Sequence, residues 1–420
     1  MHLAVLRMLQ LPRLEVTSIS RRDFALVFVL LFNAFTWSYM ILMVMRNATV
    51  ATALSSAFNT VFYVAAAGAG LAGSLFTERI KRRRFLYSWM ILGLLSSFAL
   101  IFLYNQTAAQ ISIVCVALGI SFGLGMPSSL AYLADHTVTE NRGTISAIVF
   151  LAANLSILPL GALFMTMDLT TNLAILAVWR GLGLVAFVVL RPKEAESTDA
   201  KEHVSLTSVL RDRSFSLYLL PWIMFLLVDI LEKGLLQGFV REGILNLMLI
   251  AEPITAVFFS LLAGLFVDRI GRKRMIIYGF VTLGIGYAMV GLAPANDFAW
   301  YFYILVDGAA WGILLTIFLL TLWGDLSKAS SREKYYAIGI FPFLARNIIP
   351  FALITFIETI EANAAFSLAA FFLFLAVLPL MYAPETLPEK KIELRRLRNY
   401  MERAKKLAGK QAEAGSSKSK

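Results

Sequence analysis

The segments AGSLFTERIKRRRFL (residues 72–86) and LAGLFVDRIGRKRMI (residues 262–276) resemble each other and lie 190 residues apart. The same offset relates Asp135 to Asp325 and Arg142 to Arg332. A fixed offset kept at several positions indicates an internal repeat. The chain is therefore predicted to consist of two related halves.

The composition places both halves in a membrane. Hydrophobic residues make up 59% of the 420 residues and charged residues 15%, against about 25% charged in a soluble protein. The apolar residues form twelve blocks, each long enough to cross a hydrocarbon core about 30 Å thick. The predicted spans are 24–45, 49–76, 85–104, 110–133, 144–165, 173–190, 214–233, 244–266, 275–292, 299–323, 335–356 and 364–382. We predict an all-α membrane protein whose twelve transmembrane helices form two pseudo-symmetric six-helix bundles.

The repeat and the spans together predict the domain organisation. Each half contains an even number of spans, so both halves cross the membrane in the same direction. The predicted parts are an N-terminal segment (1–23), the first bundle (24–190), a polar linker (191–213), the second bundle (214–382) and a basic tail (383–420).

Basic residues fix the predicted orientation. Of 38 Lys and Arg residues, 33 fall on the side of the termini, three on the other side and two inside spans. The positive-inside rule then predicts that both termini lie in the cytoplasm. We expect a multi-pass protein of the plasma membrane. This topology explains the net charge of +11, so nucleic acid is excluded as a partner. The tail is predicted to contact anionic membrane lipid, with a partner-binding module as the alternative.

The sequence offers little to a metal or a cofactor. Cys115 is the single cysteine, and His2, His136 and His203 all lie outside the predicted spans. The cysteine count excludes an intramolecular disulfide framework and a Cys-based metal site, and the histidine positions leave little for a buried His-rich metal centre. We therefore expect no cofactor, no metal and no enzymatic activity.

The segment GLFVDRIGRKR (264–274) is similar to the motif between the second and third helices of each half in the major facilitator superfamily. The two Asp-x6-Arg pairs and PET (384–386) also resemble signatures of that superfamily. PET is similar to the sugar-porter branch, but the short linker departs from it, so no sugar is assigned. The resemblance implies the two-bundle fold and secondary transport. It also implies gating motifs formed by Ser74, Glu78, Arg79, Arg82, Asp135, Arg142, Gly264, Asp268, Arg269, Gly271, Arg272, Asp325 and Arg332.

The two copies of the motif differ. In the second, Gly264 permits close helix packing, Asp268 offers a carboxylate to a neighbouring helix start and Gly271 turns the chain. The first copy has Ser74 and Glu78 at the positions of Gly264 and Asp268. We expect Asp268 near the start of the fifth span and Glu78 near the start of the eleventh, closing the cytoplasmic side.

Ionisable residues inside spans are candidates for substrate and proton binding. They are Arg180, Asp229, Glu232, Lys233, Glu252, Asp307 and Arg346. Helix depth predicts that Asp229, Glu252 and Asp307 meet across one cavity, and that Arg346 pairs with Glu252, Asp307 or an anionic substrate. Glu232 and Lys233 have an alternative place near the outer interface. Arg180 is expected to extend its side chain to that interface rather than to contact substrate.

Uncharged side chains complete the candidate substrate site. Asn33 and Tyr39 offer hydrogen bonds from the first span, and helical spacing puts Trp222 on the face of Asp229 and Trp311 on the face of Asp307.

We therefore predict a monomeric secondary transporter that works by alternating access and is coupled to protons. Its predicted substrate is a small polar organic solute, and an anionic solute is one of the options. No nucleotide phosphate loop appears in the sequence, which argues against direct ATP drive. A drug or metabolite exporter is the alternative in the same class. A transport-inactive membrane receptor or scaffold is the alternative of another class.

Overall fold

The computed structural model describes residues 19–49, 55–77, 79–103, 107–192, 204–348 and 362–387. Throughout these ranges the regular structure is helical and no strand occurs. We number the spanning helices α1 to α12 in chain order.

The first half comprises six spanning helices. They are α1 (Arg21–Thr49), α2 (Ser55–Phe76), α3 (Arg82–Leu103), α4 (Ala108–Gly123 and Met126–His136), α5 (Thr139–Thr166) and α6 (Leu169–Val189). Side-chain caps define two of their starts. Thr107 and Gln110 form a capping box at α4, and Asp168 accepts a hydrogen bond from the Thr171 N–H at α6.

A short helix, Leu206–Arg211, leads from the linker into the second half. The spanning helices that follow are α7 (Arg213–Phe239), α8 (Glu242–Ile270), α9 (Arg272–Leu292), α10 (Asp297–Leu315, a π-helical turn Thr316–Thr321, and Leu322–Leu326), α11 (Arg332–Ala345) and α12 (Ala362–Leu375 and Val377–Tyr382). Four helix interiors contain proline, at Pro159, Pro221, Pro253 and Pro342.

Eleven helices in the described ranges are long and apolar enough to cross a membrane. The one predicted span without a counterpart among these eleven is the eleventh, 335–356; it corresponds to α11, and its residues 349–356 lie outside the described ranges. The observed helices therefore confirm the predicted fold class, an all-α membrane protein.

Two helices extend beyond the predicted spans in a way that changes the site. Helix α6 begins at Leu169 rather than at 173, and α7 continues to Phe239 rather than ending at 233. Both extensions move charged residues toward the middle of the membrane, because each residue adds 1.5 Å of helix length. Arg180 and Glu232 are the residues affected.

The two halves pack on each other through α8 against α5 and through α11 against α2 and α4. The loops that join α4 to α5, α8 to α9 and α10 to α11 lie at one end of the helices, together with the linker. We call this the basic end, since the sequence places most Lys and Arg residues there.

Candidate functional site

A buried ion pair lies in the middle of the second half. Arg346 follows directly after the 14 residues of α11, about 20 Å from the start of that helix. Its Nη1 donates to Oδ2 of Asp229 on α7 at 3.1 Å, and the two side chains are 15% and 6% exposed. Arg346 therefore has a carboxylate partner, as its depth in the membrane requires, and that partner is Asp229 rather than Glu252 or Asp307.

Aromatic side chains enclose the Arg346 guanidinium. Its Cζ lies 4.7 Å from the ring centre of Trp311 and 4.5 Å from that of Phe343. Such contacts stabilise a cation in a site that excludes water. Helix α2 of the first half packs against α11, the helix that leads to Arg346.

Trp222 has a different role from the one its spacing predicted. It is fully buried, donates from Nε1 to the Gly339 carbonyl at 3.1 Å and stacks on Phe318 at 4.7 Å. It therefore packs α7 against α10 and α11, behind the ion pair. Trp311, by contrast, contacts the guanidinium directly.

Three carboxyl groups meet beside the ion pair. One oxygen each from Glu232, Glu252 and Asp307 lie within 4.8 Å of one another. The Tyr287 hydroxyl donates to Oε2 of Glu232 at 2.6 Å, and the Tyr303 hydroxyl donates to Oε1. Of the three carboxyl groups predicted to share one cavity, Glu252 and Asp307 belong to this group together with Glu232, and Asp229 pairs with Arg346.

The chemistry of the three carboxyl groups is that of a proton or cation site. Ionised carboxylates this close repel one another, and a bound proton or a hard cation removes the repulsion. The sequence predicted no metal at this position. The interface placement of Glu232 is also wrong, because α7 continues for seven residues beyond it.

In the first half, the Asn33 side chain is hydrogen-bonded to two residues of α6 and does not contact Arg346. Its Nδ2 donates to the Trp179 carbonyl at 2.7 Å, and its Oδ1 accepts from Arg180 Nη1 at 2.9 Å. Tyr39, six residues further along α1, is 53% exposed. The structure therefore does not bring these two candidates together with the second-half charges.

Arg180 does not extend to the membrane interface as expected. It lies eleven residues from the start of α6, about 16 Å along the helix, and its side chain is fully buried. Its Cζ lies 4.4 Å from the ring centre of Trp89 and 5.1 Å from that of Trp37. The earlier start of α6 is the reason, because an arginine side chain is too short to cross that depth.

At the basic end, Asp268 joins the halves. Its carboxylate accepts from the Gly143 N–H at 3.0 Å, the Thr144 N–H at 2.7 Å and the Thr144 hydroxyl at 2.8 Å. These donors belong to the first turns of α5, where a carboxylate is favoured by the helix dipole. Arg272 Nη1 contacts the same carboxylate at 2.9 Å.

Asp325 connects this contact to the neighbouring loops. It accepts from Arg272 Nε at 2.7 Å and pairs with Arg142, which also donates to the Ala134 carbonyl at 2.7 Å. All three charged side chains are at most 3% exposed. The Asp325 carboxylate thus ties the end of α10 to α9 and to α5 through two buried arginines.

The first copy of the motif makes the corresponding contact with other residues. Arg82 pairs with Asp135 and donates from Nε to Oε1 of Glu333 at 2.7 Å, and Arg332 also pairs with Asp135. Glu78 lies outside the described residues, so its predicted place near α11 stays a prediction. At the basic end, the halves are therefore linked by four charged side chains, those of Arg82 and Asp135 from the first half and of Arg332 and Glu333 from the second.

The remaining motif residues serve packing or lie on the surface. Ser74 is buried and donates to the Leu71 carbonyl at 2.7 Å, whereas Arg79 and Arg269 are exposed. Gly271 has φ 110°, a conformation that favours glycine. The Glu385 carboxylate accepts from the Arg272 N–H at 2.9 Å and so caps α9.

A family model for the major facilitator superfamily matches residues 23–240. The chain belongs to the major facilitator superfamily. Members of this superfamily are transporters, so the chain is a secondary transporter and not an enzyme. A comparison with curated proteins finds no match.

Solved structures share the superfamily fold. The proton:xylose symporter XylE bound to 6-bromo-6-deoxy-D-glucose is 15% identical, with a TM-score of 0.66 over 87% of this chain and 96% of that chain. The human organic anion transporter MFSD10 is 16% identical, with a TM-score of 0.62 over 86% of this chain and 99% of that chain. At these identities the similarity establishes the fold alone.

Sequence reasoning missed Glu232, Tyr287 and Tyr303 as members of the acidic site. The available signal was spacing: Glu232 follows Asp229 by three residues, which places both on one side of a helix that continues past them. Tyr303 carries a similar signal, since it precedes Asp307 by four residues on one helix face, whereas Tyr287 carries none.

Proposed function

We propose that this superfamily member moves a small polar organic solute, with an organic anion as the favoured class, by proton-coupled alternating access. The observation that carries the proposal is the Arg346–Asp229 pair, a hydrogen bond of 3.1 Å between a partly buried guanidinium and a buried carboxylate. A guanidinium binds a carboxylate through several N–H groups, so this single contact leaves donors for a solute.

Proton coupling follows from competition for Arg346. When a proton binds the Asp229 carboxylate, its attraction to the guanidinium is lost and Arg346 becomes available to an anionic solute. Release of the solute restores the ion pair and expels the proton. The acidic site of Glu232, Glu252 and Asp307 supplies a second place for a proton nearby.

One structural neighbour is named for proton coupling and another for organic anions. XylE is named as a proton:xylose symporter and MFSD10 as an organic anion transporter. Of a sugar and an organic anion, the Arg346 site favours the anion. A sugar carries no negative charge that could take the place of the Asp229 carboxylate beside the guanidinium.

Alternating access requires the basic end to open and close. The contacts of Asp268 with α5 and of Asp135 with Arg332 join the halves at this end. Solute release there requires these contacts to break. By the positive-inside rule this end faces the cytoplasm, so the arrangement is closed to the inside.

The same rule supports both termini in the cytoplasm, and we propose the plasma membrane as the location. We assign the basic tail to anionic lipid and treat the protein as a monomer, because each chain contains both halves of the proposed transport path.

The test uses purified protein in proteoliposomes. A thermal-shift screen of carboxylates, sugars, amino acids and organic cations first selects a stabilising solute, because a ligand of the folded state raises its stability. Radiolabelled solute then reports accumulation under an inward proton gradient and counterflow without one. We expect Asp229→Asn and Asp307→Asn to lose accumulation and keep counterflow, because a neutral side chain resembles the proton-loaded carrier.

Asp297→Asn is the matched control. Asp297 forms an exposed ion pair with Arg241 at the other end of the molecule, so both activities should persist. Accumulation by Asp229→Asn and Asp307→Asn at the parental level, unaffected by external pH, would exclude proton coupling. Absence of counterflow with every stabilising solute would favour a receptor.

A further inference from the structure

One turn of α10 is wound as a π-helix instead of an α-helix. The turn comprises Thr316–Thr321, all six of its residues are buried, and we call it the π-turn. The Leu322 N–H donates to the carbonyl of Ile317, five residues back, where an α-helix would use the carbonyl four residues back. Such a turn holds one residue more than an α-helix needs. The segment of α10 after the π-turn can therefore change its register by one residue relative to the segment before it.

The π-turn separates two functional regions of the same helix. Asp307 and Trp311 of the solute site precede it, and Asp325 of the basic end follows it. The π-turn also packs against α5 of the first half and against α8 and α11 of the second. A change of register would move Asp325 by about 1.5 Å along the helix axis and rotate it by about 100° relative to Asp307.

A stack of aromatic rings connects the π-turn to Arg346. The ring centre of Phe318, in the π-turn, lies 4.7 Å from that of Trp222, and the ring planes are 13° apart. The ring centre of Trp222 lies 6.4 Å from that of Phe343, with the planes 9° apart. Phe343 in turn lies 4.5 Å from Arg346 Cζ. Because closely packed side chains transmit strain, these three rings, the aromatic stack, carry a movement of the π-turn to the guanidinium.

The Tyr336 hydroxyl of α11 holds the end of the π-turn. It donates to the Leu320 carbonyl at 2.7 Å, and Tyr336 is fully buried. In a regular α-helix the Leu320 carbonyl would accept from the Gly324 N–H. A Cβ at Gly324 would lie 2.6 Å from the Tyr336 hydroxyl oxygen and 2.7 Å from Ala134 Cβ of the first half. The hydroxyl therefore reaches the backbone of α10 at the place where that helix touches the other half.

We propose that the π-turn couples the solute site to the basic end, and that Tyr336 is the positioning residue that keeps the turn π-helical while the basic end is closed. When the halves separate, Ala134 leaves Gly324 and water replaces the Tyr336 hydroxyl. The turn then becomes α-helical, and the aromatic stack carries the displacement to Arg346. The π-turn is thus a two-state element on which both regions act. This coupling rests on the alternating access proposed above, but on neither a particular solute nor a proton.

Distances across the basic end test the role of Tyr336. Spin labels at Val138→Cys and Lys328→Cys, in a Cys115→Ala background, are read by electron paramagnetic resonance on the full chain in detergent. Tyr336→Phe removes the hydroxyl that holds the π-turn, so we expect the ratio of long to short distances to rise about tenfold. Tyr301→Phe, at an exposed tyrosine of α10, should keep the parental ratio.

Deletion of Leu319 should have the opposite effect. It takes out the additional residue, so the flanking segments of α10 keep their places and the protein should still unfold cooperatively. Deletion of Val281 in the regular helix α9 is the control, because it rotates every later residue of that helix by about 100° and should prevent folding. Asp268→Asn is expected to open the basic end. Deletion of Leu319 in that variant should restore the short distance and abolish counterflow, because no change of register remains.

The proposal is overturned if Tyr336→Phe and Tyr301→Phe give the same distances, or if deletion of Leu319 leaves Asp268→Asn fully open. Loss of folding on deletion of Leu319, as on deletion of Val281, would overturn it as well. If Asp268→Asn does not open the basic end, Tyr336→Phe replaces it in the deletion test. If Tyr336→Phe does not fold, the Asp268→Asn variants decide. Absence of transport by the parent protein would contradict the proposed function, whereas the distances would still decide the coupling.

Discussion

The absence of a side chain at one position determines how closely α8 and α5 approach. A Cβ on Gly264 would lie 2.2 Å from the Ala147 Cβ and 2.6 Å from the Gly143 carbonyl oxygen. Neither atom is the end of a flexible side chain, so the helices would have to separate. The contact of Asp268 with Gly143 and Thr144, one turn further along α8, depends on that close approach.

Replacing Gly264 with Ala should therefore destabilise the arrangement closed at the basic end. Alanine ordinarily stabilises a helix by about 1 kcal/mol relative to glycine, so a lower unfolding temperature would report the steric effect alone. Gly243, in the same helix, has open space around it, and Gly243→Ala should raise the unfolding temperature or leave it unchanged. Equal shifts in the two variants would contradict the packing role of Gly264.

At the scale of helices, a carboxylate at the end of α8 holds the first turns of α5. Asp268 accepts three hydrogen bonds from Gly143 and Thr144 and contacts Arg272, whose own position is fixed by Asp325. Breaking a buried charged contact on one side leaves the other charge without its partner, which costs several kcal/mol. The halves should then separate at the basic end.

Asp268→Asn should lengthen the distance between α5 and the loop before α11. Spin labels at Val138→Cys and Lys328→Cys, in a Cys115→Ala background, report it by electron paramagnetic resonance. Both positions are exposed, whereas Cys115 is buried. The Asp297→Asn variant should keep the parental distance. An unchanged distance in Asp268→Asn, with unchanged transport, would exclude a gating role for this aspartate.

For the whole molecule, the proposed orientation rests on the distribution of basic residues. It places Lys328, at the basic end, in the cytoplasm and Ala295, in the α9–α10 loop, outside. Both positions are exposed, so each can report on its side of the membrane.

Cysteines at these two positions should react differently with a membrane-impermeant maleimide. In intact cells Ala295→Cys should be labelled and Lys328→Cys should not, whereas permeabilised cells should give labelling of both. The Cys115→Ala parent supplies the background signal. The reverse pattern in intact cells would place the termini outside and overturn the assignment.

The sequence by itself determined the fold class and the repeat. Twenty-residue apolar blocks have one way to satisfy their backbone hydrogen bonds in lipid, which is a helix, so length and hydropathy suffice. The motif around Asp268 also identified a loop whose chemistry is local: a glycine, a carboxylate and a turn within eight residues. These features depend on neighbours in sequence.

The partners of the buried charges were decided by the tertiary structure. Asp229 and Arg346 are 117 residues apart, and Glu232 meets Tyr303 across 71 residues, so no local spacing selects one carboxylate over another. The positions of helix ends were likewise decided by the tertiary structure. Helix α6 begins four residues before the predicted span, so the Arg180 side chain is too far from the membrane interface to extend to it. Pairing of charges in a low-dielectric interior depends on distances of a few ångströms, which only the packing of complete helices sets.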